Sequence, residues 1–434
     1  MAERGRDAGH GRRRLDGDVW CSVHLCRGGR RRHVQGKASM NRPIGIEEAQ
    51  PRTARRICFL SSMHPARDKR VFDKEAVTLA AAGFEVIHLC PGKDEEAGVE
   101  KGVRIITYPR RTGIRGRIAQ LFQLYRDAAR VDADVYHCNE VDSWAVGTML
   151  KLFRRRGCVF DVHEDYPSTF AHGRFPLWMH PFVEAIIRAA FLVLSPLTDK
   201  FVLAKETVSG DFRVDESRKL LVRNFTPRTG LATAPERTDP ACPDGWLRLV
   251  HLGFIGKPRG WPQLLAAMAM MQHRKVQLEV IGEFNDNTRD EFEERVRELG
   301  LEDRVTLHDW MPFGEAFERL RAADVGLIVF QPGIRNHVYA MPHKMFDYMA
   351  AELAVICPDF AVEVAPVIEK EECGLLADPA DPADLARKLD LLASSPAMVR
   401  EMGRRGRRAV IERYNWEAEA EPLIQLYRTW EMRQ

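Results

Sequence analysis

The stretch YAMPHKMFDYMAAELAVICPD, residues 339–359, combines a proline-containing loop, an apolar helix and a buried strand in immediate succession. It also places a lysine and an aspartate three positions apart, Lys344 and Asp347, so both would lie on one face of the helix. Two explanations of these opposite charges are open. Either they form an ordinary surface ion pair, worth roughly a few tenths of a kcal/mol, or they bind a polar ligand where the helix begins.

The same alternation of short apolar runs with helical segments continues through the chain from position 55 onward. In the first half, strands are predicted at 56–62, 85–90, 103–108, 134–138, 158–163, 191–195 and 220–224. In the second half, they are predicted at 247–256, 276–282, 304–310, 324–330, 353–359 and 373–378. Continuous apolar strands separated by helices are typical of parallel sheets covered on both faces. The predicted fold class is α/β, with two Rossmann-like, doubly wound domains facing a cleft, and ligands are expected beyond the carboxyl ends of the strands.

A chain of 434 residues is too long for one ordinary hydrophobic core. The predicted parts are a disordered basic extension over 1–54, an N-terminal domain over 55–228, a linker over 229–246, a C-terminal domain over 247–414 and a C-terminal helix over 415–434 that packs back on the N-terminal domain. The extension has ten Lys or Arg in its first forty residues and lacks the apolar region of a secretory signal. The linker is rich in Pro, Thr and Gly and shows no apolar period.

The overall composition indicates a soluble globular protein, because 45% of the residues are apolar and 29% are charged. A net charge of +3 is too small to indicate nucleic acid as a partner. The nine cysteines include no CxxC pair, which argues against a disulfide framework or a zinc site and fits a reducing cytoplasm. The apolar run at 185–195 is too short to cross a membrane and contains Arg188, so no transmembrane span is expected.

A glycine-rich loop follows the first predicted strand of the second half. Its sequence LGFIGKPRGW, residues 252–261, contains Gly253, Gly256 and Gly260 together with Lys257 and Arg259. Glycines let a backbone approach a phosphate closely, and cations match its charge; an ordinary structural turn explains the glycines equally well. Lys344 adds a third cation at the same sheet edge, and the Asp347 carboxylate suits the vicinal hydroxyls of a ribose. A diphosphate carrying a ribose would account for both charges.

These motifs occur in an order that resembles a known family. The second half is similar to the donor-binding domain of family-4 retaining glycosyltransferases of the bacterial polysaccharide and glycolipid type, which have the GT-B fold. The similarity runs through LVHLGFIGKPRGWPQLLAAM, LEVIGE, LGLEDRVTLHDWMP, AADVGLIVF, MPHKMFDYMAAELAVICPD, CGLLADPADPADLA and RYNWEAEAEPLIQLYRTW. In the first half, DKRVFDKEAVTLAAAGFEV and FDVHEDYP carry it, and the segments together extend over nearly everything after residue 55.

The resemblance implies roles for residues of the second half. Asp347 matches the acidic residue that holds the nucleotide ribose, and the backbone around Met311 would meet the base. Arg259, next to Gly260, matches a basic residue at the phosphates. Arg259 and Lys344 are therefore the predicted catalytic cations, which would stabilise charge growing on the leaving diphosphate.

Several positions depart from the family pattern. The glutamate usually found eight positions before the ribose-binding residue is Tyr339, so the sugar contact is assigned to Asn336 or to the backbone of the 335–341 loop. The arginine often found after the first glycine of the loop is Phe254, and the glycine pair of the family's opening loop is replaced by ARDKR. Glu352 stands where the helix usually ends in glycine, which predicts a left-handed residue strained by about 1 kcal/mol.

The motif FDVHEDYP places His163, Glu164 and Asp165 after a predicted strand. A metal site is not expected, because adjacent side chains cannot easily aim at one ion and no HExxH spacing follows. By resemblance, His163 contacts the donor sugar across the cleft as a catalytic group, while Glu164 and Asp165 line the acceptor side. The alternative is a histidine that is simply hydrogen-bonded at a strand end.

Basic clusters flank a predicted helix of the first half, with RRTGIRGR at 110–117 and RRR at 154–156. The apolar residues on one face of this helix are Ile114, Ile118, Leu121, Phe122 and Tyr125. One interpretation is a helix packed on the sheet with a solvated basic side. The other is docking on an anionic membrane surface to reach a lipid-linked acceptor.

The resemblance implies a hexosyltransferase-type enzyme that moves a sugar, with retention of configuration, from a UDP- or GDP-linked donor to a glycan or lipid-linked acceptor. It implies no metal and no cofactor. The chain is expected in the cytoplasm, with peripheral contact to the inner face of the membrane left open. Two rival functions use the same donor site: a GT-B nucleotide-sugar epimerase or hydrolase, and a non-catalytic nucleotide-sugar-binding protein.

Overall fold

The computed structural model describes residues 56–171, 175–228, 236–237 and 241–431, and these residues form two β-sheets. The strands of the first sheet are β1 (Arg56–Leu60), β2 (Glu85–Pro91), β3 (Gly98–Glu100), β4 (Val103–Tyr108), β5 (Val135–Cys138), β6 (Gly157–Val162), β7 (Lys200–Leu203) and β8 (Lys219–Leu221). Their spatial order is β3-β4-β2-β1-β5-β6-β7-β8. The short edge strand β3 pairs antiparallel with β4, and the other neighbours pair in parallel.

Helices cover both faces of the first sheet. They are α1 (Val77–Ala81), α2 (Gly113–Val131), α3 (Val141–Arg154), α4 (Tyr166–Ala171) and α5 (His180–Leu194). A π-helical turn, Val71–Ala76, leads into α1. On one face pack α2, α3 and α5, where Trp144 of α3 stacks on Phe160 of β6 with 4.1 Å between ring centroids. On the other face packs α1, next to Ile57 and Phe59 of β1.

The second sheet is parallel throughout and has the order β11-β10-β9-β12-β13-β14. Its strands are β9 (Leu247–Leu252), β10 (Val276–Ile281), β11 (Val305–His308), β12 (Val325–Leu327), β13 (Ala354–Pro358) and β14 (Gly374–Ala377). Its helices are α6 (Trp261–Met270), α7 (Arg289–Glu298), α8 (Phe313–Ala322), α9 (Arg335–Val338), α10 (His343–Ala350), α11 (Ala365–Glu371), α12 (Pro382–Ser394) and α13 (Pro396–Glu412). Because β9 and β12 lie side by side, the order of the sheet reverses between them, and their loops meet at a place where such folds bind ligands.

The last helices return to the first sheet. They are α14 (Trp416–Glu419) and α15 (Glu421–Arg428). Trp416 Nε1 donates a hydrogen bond to Thr78 Oγ1 at 2.8 Å, and the Tyr427 hydroxyl lies 2.6 Å from Nδ1 of the buried His137. Both aromatic residues belong to the same apolar cluster as β1. The chain therefore crosses between the two sheets twice, once around residue 227 and once around residue 415.

Most predicted strands are present, including every strand predicted in the second half. The predicted strand at 191–195 is wrong, because these residues end α5. The strand in that part of the sheet is β7, which the sequence reading missed. A short apolar run does not distinguish a strand from a buried helix by periodicity alone. Here the ambiguity arises because α5 is apolar on both its buried and its exposed side.

The expectation that no segment could cross a membrane is also wrong as far as length and composition are concerned. Among the described residues, Leu177–Leu197 is a helical stretch of 21 residues that contains an 18-residue window of mean hydropathy 1.6, of which 17% is buried. It consists of α5 with a short helical turn on each side. Its exposure sets it apart from the core helix of a soluble protein, which would be mostly buried.

Glu352 follows α10 in the left-handed conformation, with φ = 63°, as predicted for this position. Its carboxylate is nearly inaccessible at 3% exposure and lies near the side chains of two arginines and the backbone of a third. Oε1 accepts a hydrogen bond from the backbone N–H of Arg237 at 3.0 Å and lies 3.3 Å from Arg407, while Oε2 lies 3.7 Å from Arg400. Loss of a buried ionic partner typically costs roughly 3–5 kcal/mol, which exceeds the strain of about 1 kcal/mol.

We therefore expect Glu352→Gly to lower the free energy of unfolding by roughly 2 kcal/mol, although it removes backbone strain. The matched control is Glu372→Gly. Glu372 is also left-handed, with φ = 48°, but its side chain is 70% exposed. That variant should gain up to about 1 kcal/mol. Urea unfolding of both variants checks the comparison, and equal stabilisation of both would show that the arginine contacts of Glu352 contribute nothing.

Candidate functional site

Two loops of the second sheet meet where β9 and β12 lie side by side. β9 ends at Leu252, and Gly253 follows with φ = 92°, a conformation that favours glycine. Lys344, in the first turn of α10, directs its ammonium group at this turn, since a Cβ on Gly253 would lie 3.9 Å from Lys344 Nζ. Nζ is also 3.5 Å from Nε2 of the buried His251. The structure thus brings together the predicted site residues Gly253 and Lys344.

Arg259 belongs to the same group of cations. Its guanidinium carbon is 5.3 Å from the centroid of the Phe330 ring, and Lys344 Nζ is 5.7 Å from that centroid. One aromatic ring therefore contacts both cations. Gly260 follows Arg259 with φ = 83°, and a Cβ there would collide with the carbonyl oxygen of Val329. Because Gly260 has no side chain, the loop after β9 can pack directly against the backbone of the loop after β12.

Burial dominates the electrostatics of this pocket. It lowers the pKa of Lys344 well below its ordinary value, and the charge of Arg259 lowers it further, whereas Asp347 acts in the opposite direction. Burial and the Lys344 charge lower the pKa of His251 as well. Burial also lowers the pKa of Arg259, with Glu164 opposing it. An anion such as a diphosphate would favour the charged forms of the cations, and the pocket is suited to one.

Lys257 and Gly256 lie on the outer side of the loop. Lys257 Nζ is 2.5 Å from Glu291 of α7, and about half of its side chain is exposed. Its backbone N–H donates to Asp286 at 2.7 Å, and a Cβ on Gly256 would come within 2.8 Å of the same carboxylate. The structure does not bring the Lys257 ammonium group to Lys344. A contact of Lys257 with phosphates stays a prediction.

Asp347 lies one helical turn after Lys344 but has different partners. Its side chain is completely buried. Oδ2 accepts a hydrogen bond from Lys69 Nζ at 2.8 Å, and Oδ1 accepts one from the Thr226 hydroxyl at 2.8 Å. Burial by itself raises the pKa of Asp347, but Lys69 and His343 outweigh it and the pKa is lowered. Lys344 and Asp347 are therefore not the surface ion pair that was one explanation of their spacing.

Lys69 reaches Asp347 from the first sheet, where it lies on the loop after β1. Its Nζ is also 4.0 Å from the centroid of the Phe313 ring. Sequence reasoning missed both Lys69 and Thr226. A signal for Lys69 was present, because ARDKR replaces a glycine pair in this loop, and a new cation at a strand end needs a partner.

The facing wall of the site comes from the first sheet. His163 follows β6, and its Nδ1 lies 3.3 Å from Asp161 Oδ2. Its Nε2 is 3.0 Å from Nε2 of His64, whose Nδ1 is 3.5 Å from Glu140 Oε1. Two imidazoles thus lie in line between two carboxylates, and one proton between the Nε2 atoms completes the line. His64 was missed, because only the fold brings it to His163.

A buried arginine holds this wall in place. Arg70 Nε donates to Asp161 Oδ2 at 3.0 Å and Arg70 Nη2 donates to Oδ1 at 2.8 Å. Burial raises the pKa of Asp161, but Arg70 and His163 outweigh it and the pKa is lowered. Burial lowers the pKa of His163, but the hydrogen bond and charge of Asp161 outweigh it and the pKa is raised. Asp161, which is itself fixed, therefore positions the imidazole of His163 and favours its protonated form.

Glu75, His137 and Asp161 form the cluster that most resembles a metal site within the described ranges. One ligand atom from each lies within 4.8 Å of the others, and all three residues are buried. The guanidinium of Arg70 contacts both carboxylates, at 2.9 Å from Glu75 and 2.8 Å from Asp161. A side chain thus supplies the positive charge, and we assign the cluster as a buried ion network.

The predicted acceptor-side residues lie against a predicted donor-side residue. The backbone N–H of Asp165 and Nζ of Lys205 both approach Oδ1 of Asn336, at 3.4 Å and 3.2 Å. Arg335 Nε lies 3.6 Å from Asp165 Oδ2. Glu164 is half-buried beside them. The loops after β6, β7 and β12 therefore meet at the boundary between the two sheets.

The remaining predicted or unusual positions line the same boundary less closely. Met311 is partly buried against the core of the second sheet. The Tyr339 ring lies 5.2 Å from the guanidinium carbon of Arg335, and Phe254 is 53% exposed. The contact of the Met311 backbone with the base stays a prediction.

Comparison with known proteins agrees with this geometry. Residues 70–209 match the model described as Glycosyltransferase Family 4, and residues 242–409 match Glycosyl transferases group 1. The MMP alpha-(1->4)-mannosyltransferase of Mycolicibacterium hassiacum is 26% identical over 319 residues, which are 69% of this chain and 71% of that protein.

Two solved structures are similar in fold. WaaG, a glycosyltransferase involved in lipopolysaccharide biosynthesis, gives a TM-score of 0.65 at 15% identity and covers 86% of this chain and 100% of its own. HepE of Anabaena, in complex with UDP, gives 0.62 at 12% identity and covers 85% of this chain and 98% of its own.

The family-4 match lies on the first sheet and the group-1 match on the second, with the site between them. The expected α/β fold with two Rossmann-like domains is confirmed. The chain is a glycosyltransferase of the GT-B fold and belongs to glycosyltransferase family 4.

Proposed function

We propose that this glycosyltransferase moves a sugar from a UDP- or GDP-linked donor to a glycan or lipid-linked acceptor, with retention of the anomeric configuration. The observation that carries the proposal is the cation pocket of Lys344 and Arg259 around Phe330, beside the Gly253 turn. The burial that lowers both pKa values makes a diphosphate a favourable occupant. The UDP bound to HepE supports a nucleotide donor.

The cations act on the leaving group. Negative charge grows on the diphosphate as its bond to the sugar breaks, so preorganised positive groups stabilise the transition state more than the ground state. Lys344 and Arg259 have this role in the proposal. The acceptor hydroxyl attacks from the face that the diphosphate leaves, without a protein nucleophile, metal ion or cofactor.

The first sheet supplies the sugar and acceptor contacts. Asp161 holds Nδ1 of His163, and Nε2 of His163 would exchange His64 for a sugar hydroxyl when the donor binds. Glu164 and Asp165 would line the acceptor side. On the donor side, Asn336 would contact the sugar from α9, where it already meets Asp165.

Asp347 would hold the ribose, but its carboxylate is occupied. Lys69 and Thr226 each use one of its oxygens, and the side chain is completely buried. Ribose hydroxyls are hydrogen-bond donors like the groups already there, so they would replace Lys69 at Oδ2. Binding of the donor would therefore begin with displacement of Lys69.

We expect the protein in the cytoplasm, in peripheral contact with the inner face of the membrane, where a lipid-linked acceptor would be presented. The exposed arginines at 110, 111 and 115, near the start of α2, support this expectation. They suit an anionic surface.

One observation favours a second candidate function. The two imidazoles between carboxylates are an acid–base group next to the sugar side of the site, which a GT-B epimerase or hydrolase would need. A non-catalytic nucleotide-sugar-binding protein is the remaining alternative.

Incubation of the full chain with a panel of UDP- and GDP-sugars, with and without membrane extract and with EDTA present, tests the function. We expect a sugar to be transferred only when extract supplies an acceptor, and we expect EDTA to leave the rate unchanged. Donor consumption without an acceptor would indicate the epimerase or hydrolase. No turnover, with a raised melting temperature for one nucleotide sugar, would indicate a binding protein.

Variants of the two charged residues of α10 should differ in which kinetic parameter they change. Lys344→Ala removes charge where the leaving group develops it, so kcat should fall on the order of 100-fold. Asp347→Ala removes a ribose contact made before and during the reaction, so it should chiefly raise KM for the donor. Asp347→Asn keeps the shape and should fall between wild type and Ala. Full activity in both Ala variants, with the melting shift caused by nucleoside diphosphate intact, would rule out this donor site.

Binding of a nucleoside diphosphate should be accompanied by proton uptake. The pKa of Lys344 is lowered well below its ordinary value in the free protein, and a bound diphosphate would raise it. The complex then holds more protons than the free protein, so affinity should fall as pH rises between the two pKa values. Titration calorimetry of UDP and GDP in buffers of different ionisation enthalpy measures this. Lys344→Met should reduce the buffer dependence, with the remainder coming from His251, whose pKa is lowered as well; an unchanged dependence would assign the proton to another group.

A further inference from the structure

The helix α5 has apolar residues on its exposed side as well as on its buried side. The residues that it turns inward are Val183, Ile187 and Phe191, which are buried. Its outward face carries Phe182, Ile186 and Val193, whose side chains are 68%, 68% and 66% exposed. A helix that is apolar all round is normally buried in a protein core or in a membrane. This helix has its core contact on one side and lacks a described partner on the other.

The neighbouring elements extend the exposed apolar surface. The short turn before α5 adds Trp178, which is 72% exposed. In the same layer of helices, Phe153 of α3 is 71% exposed and Phe122 of α2 is 67% exposed. We call the surface made by Phe122, Phe153, Trp178, Phe182, Ile186 and Val193 the outer apolar face. Large apolar side chains exposed together on one layer of helices indicate an interaction site.

Basic residues border the outer apolar face at both ends. Arg110, Arg111 and Arg115 are exposed near the start of α2. Arg154 and Arg155 are exposed at the end of α3, directly after Phe153. Apolar and aromatic side chains with arginines around them match the interface of an anionic bilayer, in which the rings enter the acyl boundary and the cations meet the headgroups.

We propose that the outer apolar face docks on an anionic phospholipid bilayer, with α5 lying along the membrane surface. The occupant is a bilayer because the face combines apolar bulk with a basic border. The purpose of the docking rests on the proposed function, since the enzyme would reach a lipid-linked acceptor at the bilayer. The docking itself is inferred from the exposed residues on and beside α2, α3 and α5.

The helix docks flat and does not span the bilayer. Phe191 packs edge-on against Trp144 of the core, with 5.7 Å between ring centroids, and spanning would remove it from there. Arg188 of α5 lies 2.9 Å from Asp211, so spanning would also bury this ion pair in hydrocarbon.

Docking on this face would bring the acceptor side of the site to the membrane. In a parallel sheet, the helix that connects two strands begins near the carboxyl end of the first strand. The turn carrying Trp178 follows β6, and so does His163. The outer apolar face therefore extends from the sheet edge that holds His163 and Glu164, and a lipid-linked acceptor has a short path from bilayer to site.

Vesicle binding by the full chain tests the proposal. The probes are vesicles of phosphatidylethanolamine with phosphatidylglycerol, and vesicles of phosphatidylcholine alone. Wild type should co-sediment with the anionic vesicles, less so at high salt. The double variant Phe182→Ser/Ile186→Ser should lower the partition coefficient on the order of 100-fold. Arg110→Ala/Arg111→Ala should weaken binding to the anionic vesicles by about 10-fold and leave the phosphatidylcholine result unchanged.

The matched control is Met270→Ser, which alters an exposed apolar side chain on α6 of the second half, 54% exposed. It should bind vesicles like wild type. The melting shift caused by UDP or GDP, measured in every variant, shows whether the donor site is intact, so failure of the donor assignment is seen separately from failure of membrane docking. The single variant Ile186→Ser replaces the double variant if the latter loses its melting transition.

Two results would overturn the proposal. One is wild-type protein that stays in solution with the anionic vesicles, or a folded Phe182→Ser or Ile186→Ser variant that binds them as wild type does. The other is a wild-type dimer in lipid-free sedimentation that the Phe182→Ser/Ile186→Ser variant converts to monomer, which would assign the outer apolar face to a second copy of the chain.

Discussion

Two neighbouring cations on one loop hold the site together. Arg70 turns inward and fixes Asp161 of the first sheet with two hydrogen bonds, and Lys69 turns outward and binds Asp347 of the second sheet. Both carboxylates are completely buried. Because a buried carboxylate without its cation is costly, the positions of the two walls depend on this loop. Two adjacent residues, Arg70 and Lys69, therefore set the orientation of His163 on one wall and the environment of Asp347 on the other.

The two walls of the site differ in how the protein sets their charge. On the first sheet, a fixed carboxylate raises the pKa of His163 and favours the positive form of its imidazole. On the second sheet, burial and a neighbouring cation lower the pKa of Lys344, so its charge depends on what binds. On the sugar side a carboxylate of the protein favours the positive charge, whereas on the phosphate side the positive charge depends on the ligand. Such a difference suits a reaction in which charge develops on the leaving group alone.

Much of the fold could be predicted from the sequence, because the strands of parallel sheets are short, apolar and separated by helices. The second sheet was predicted strand by strand, and the left-handed conformation of Glu352 was predicted from the glycine expected there. The strand predicted at 191–195 was wrong because α5 is apolar on both its buried and its exposed side. Hydrophobic periodicity alone does not distinguish such a helix from a strand. The Gly253–Lys344 contact could be predicted because both residues follow strands of one sheet.

What could not be predicted are the contacts that only the tertiary structure creates. His64 and His163 are 99 positions apart, and Lys69 and Asp347 are 278 positions apart. No local pattern couples them. Lys257 shows a further limit. Its place in a basic loop predicts a phosphate contact, whereas the pairing of its ammonium group with Glu291 has no signal in the sequence.

The double crossing of the chain between the sheets has a mechanical consequence. The two crossings are joined, because the N–H of Trp416 donates to the carbonyl of Thr226 at 3.0 Å, and Thr226 forms a parallel bridge with Asn415. Because the two covalent connections between the sheets are joined at one place, the two halves of the molecule can rotate about a single hinge there. The Thr226 hydroxyl also binds Asp347, so this carboxylate lies at the pivot itself. Opening the molecule would move Lys69 away while Asp347 hardly shifts, and a small rotation would be enough to expose the carboxylate.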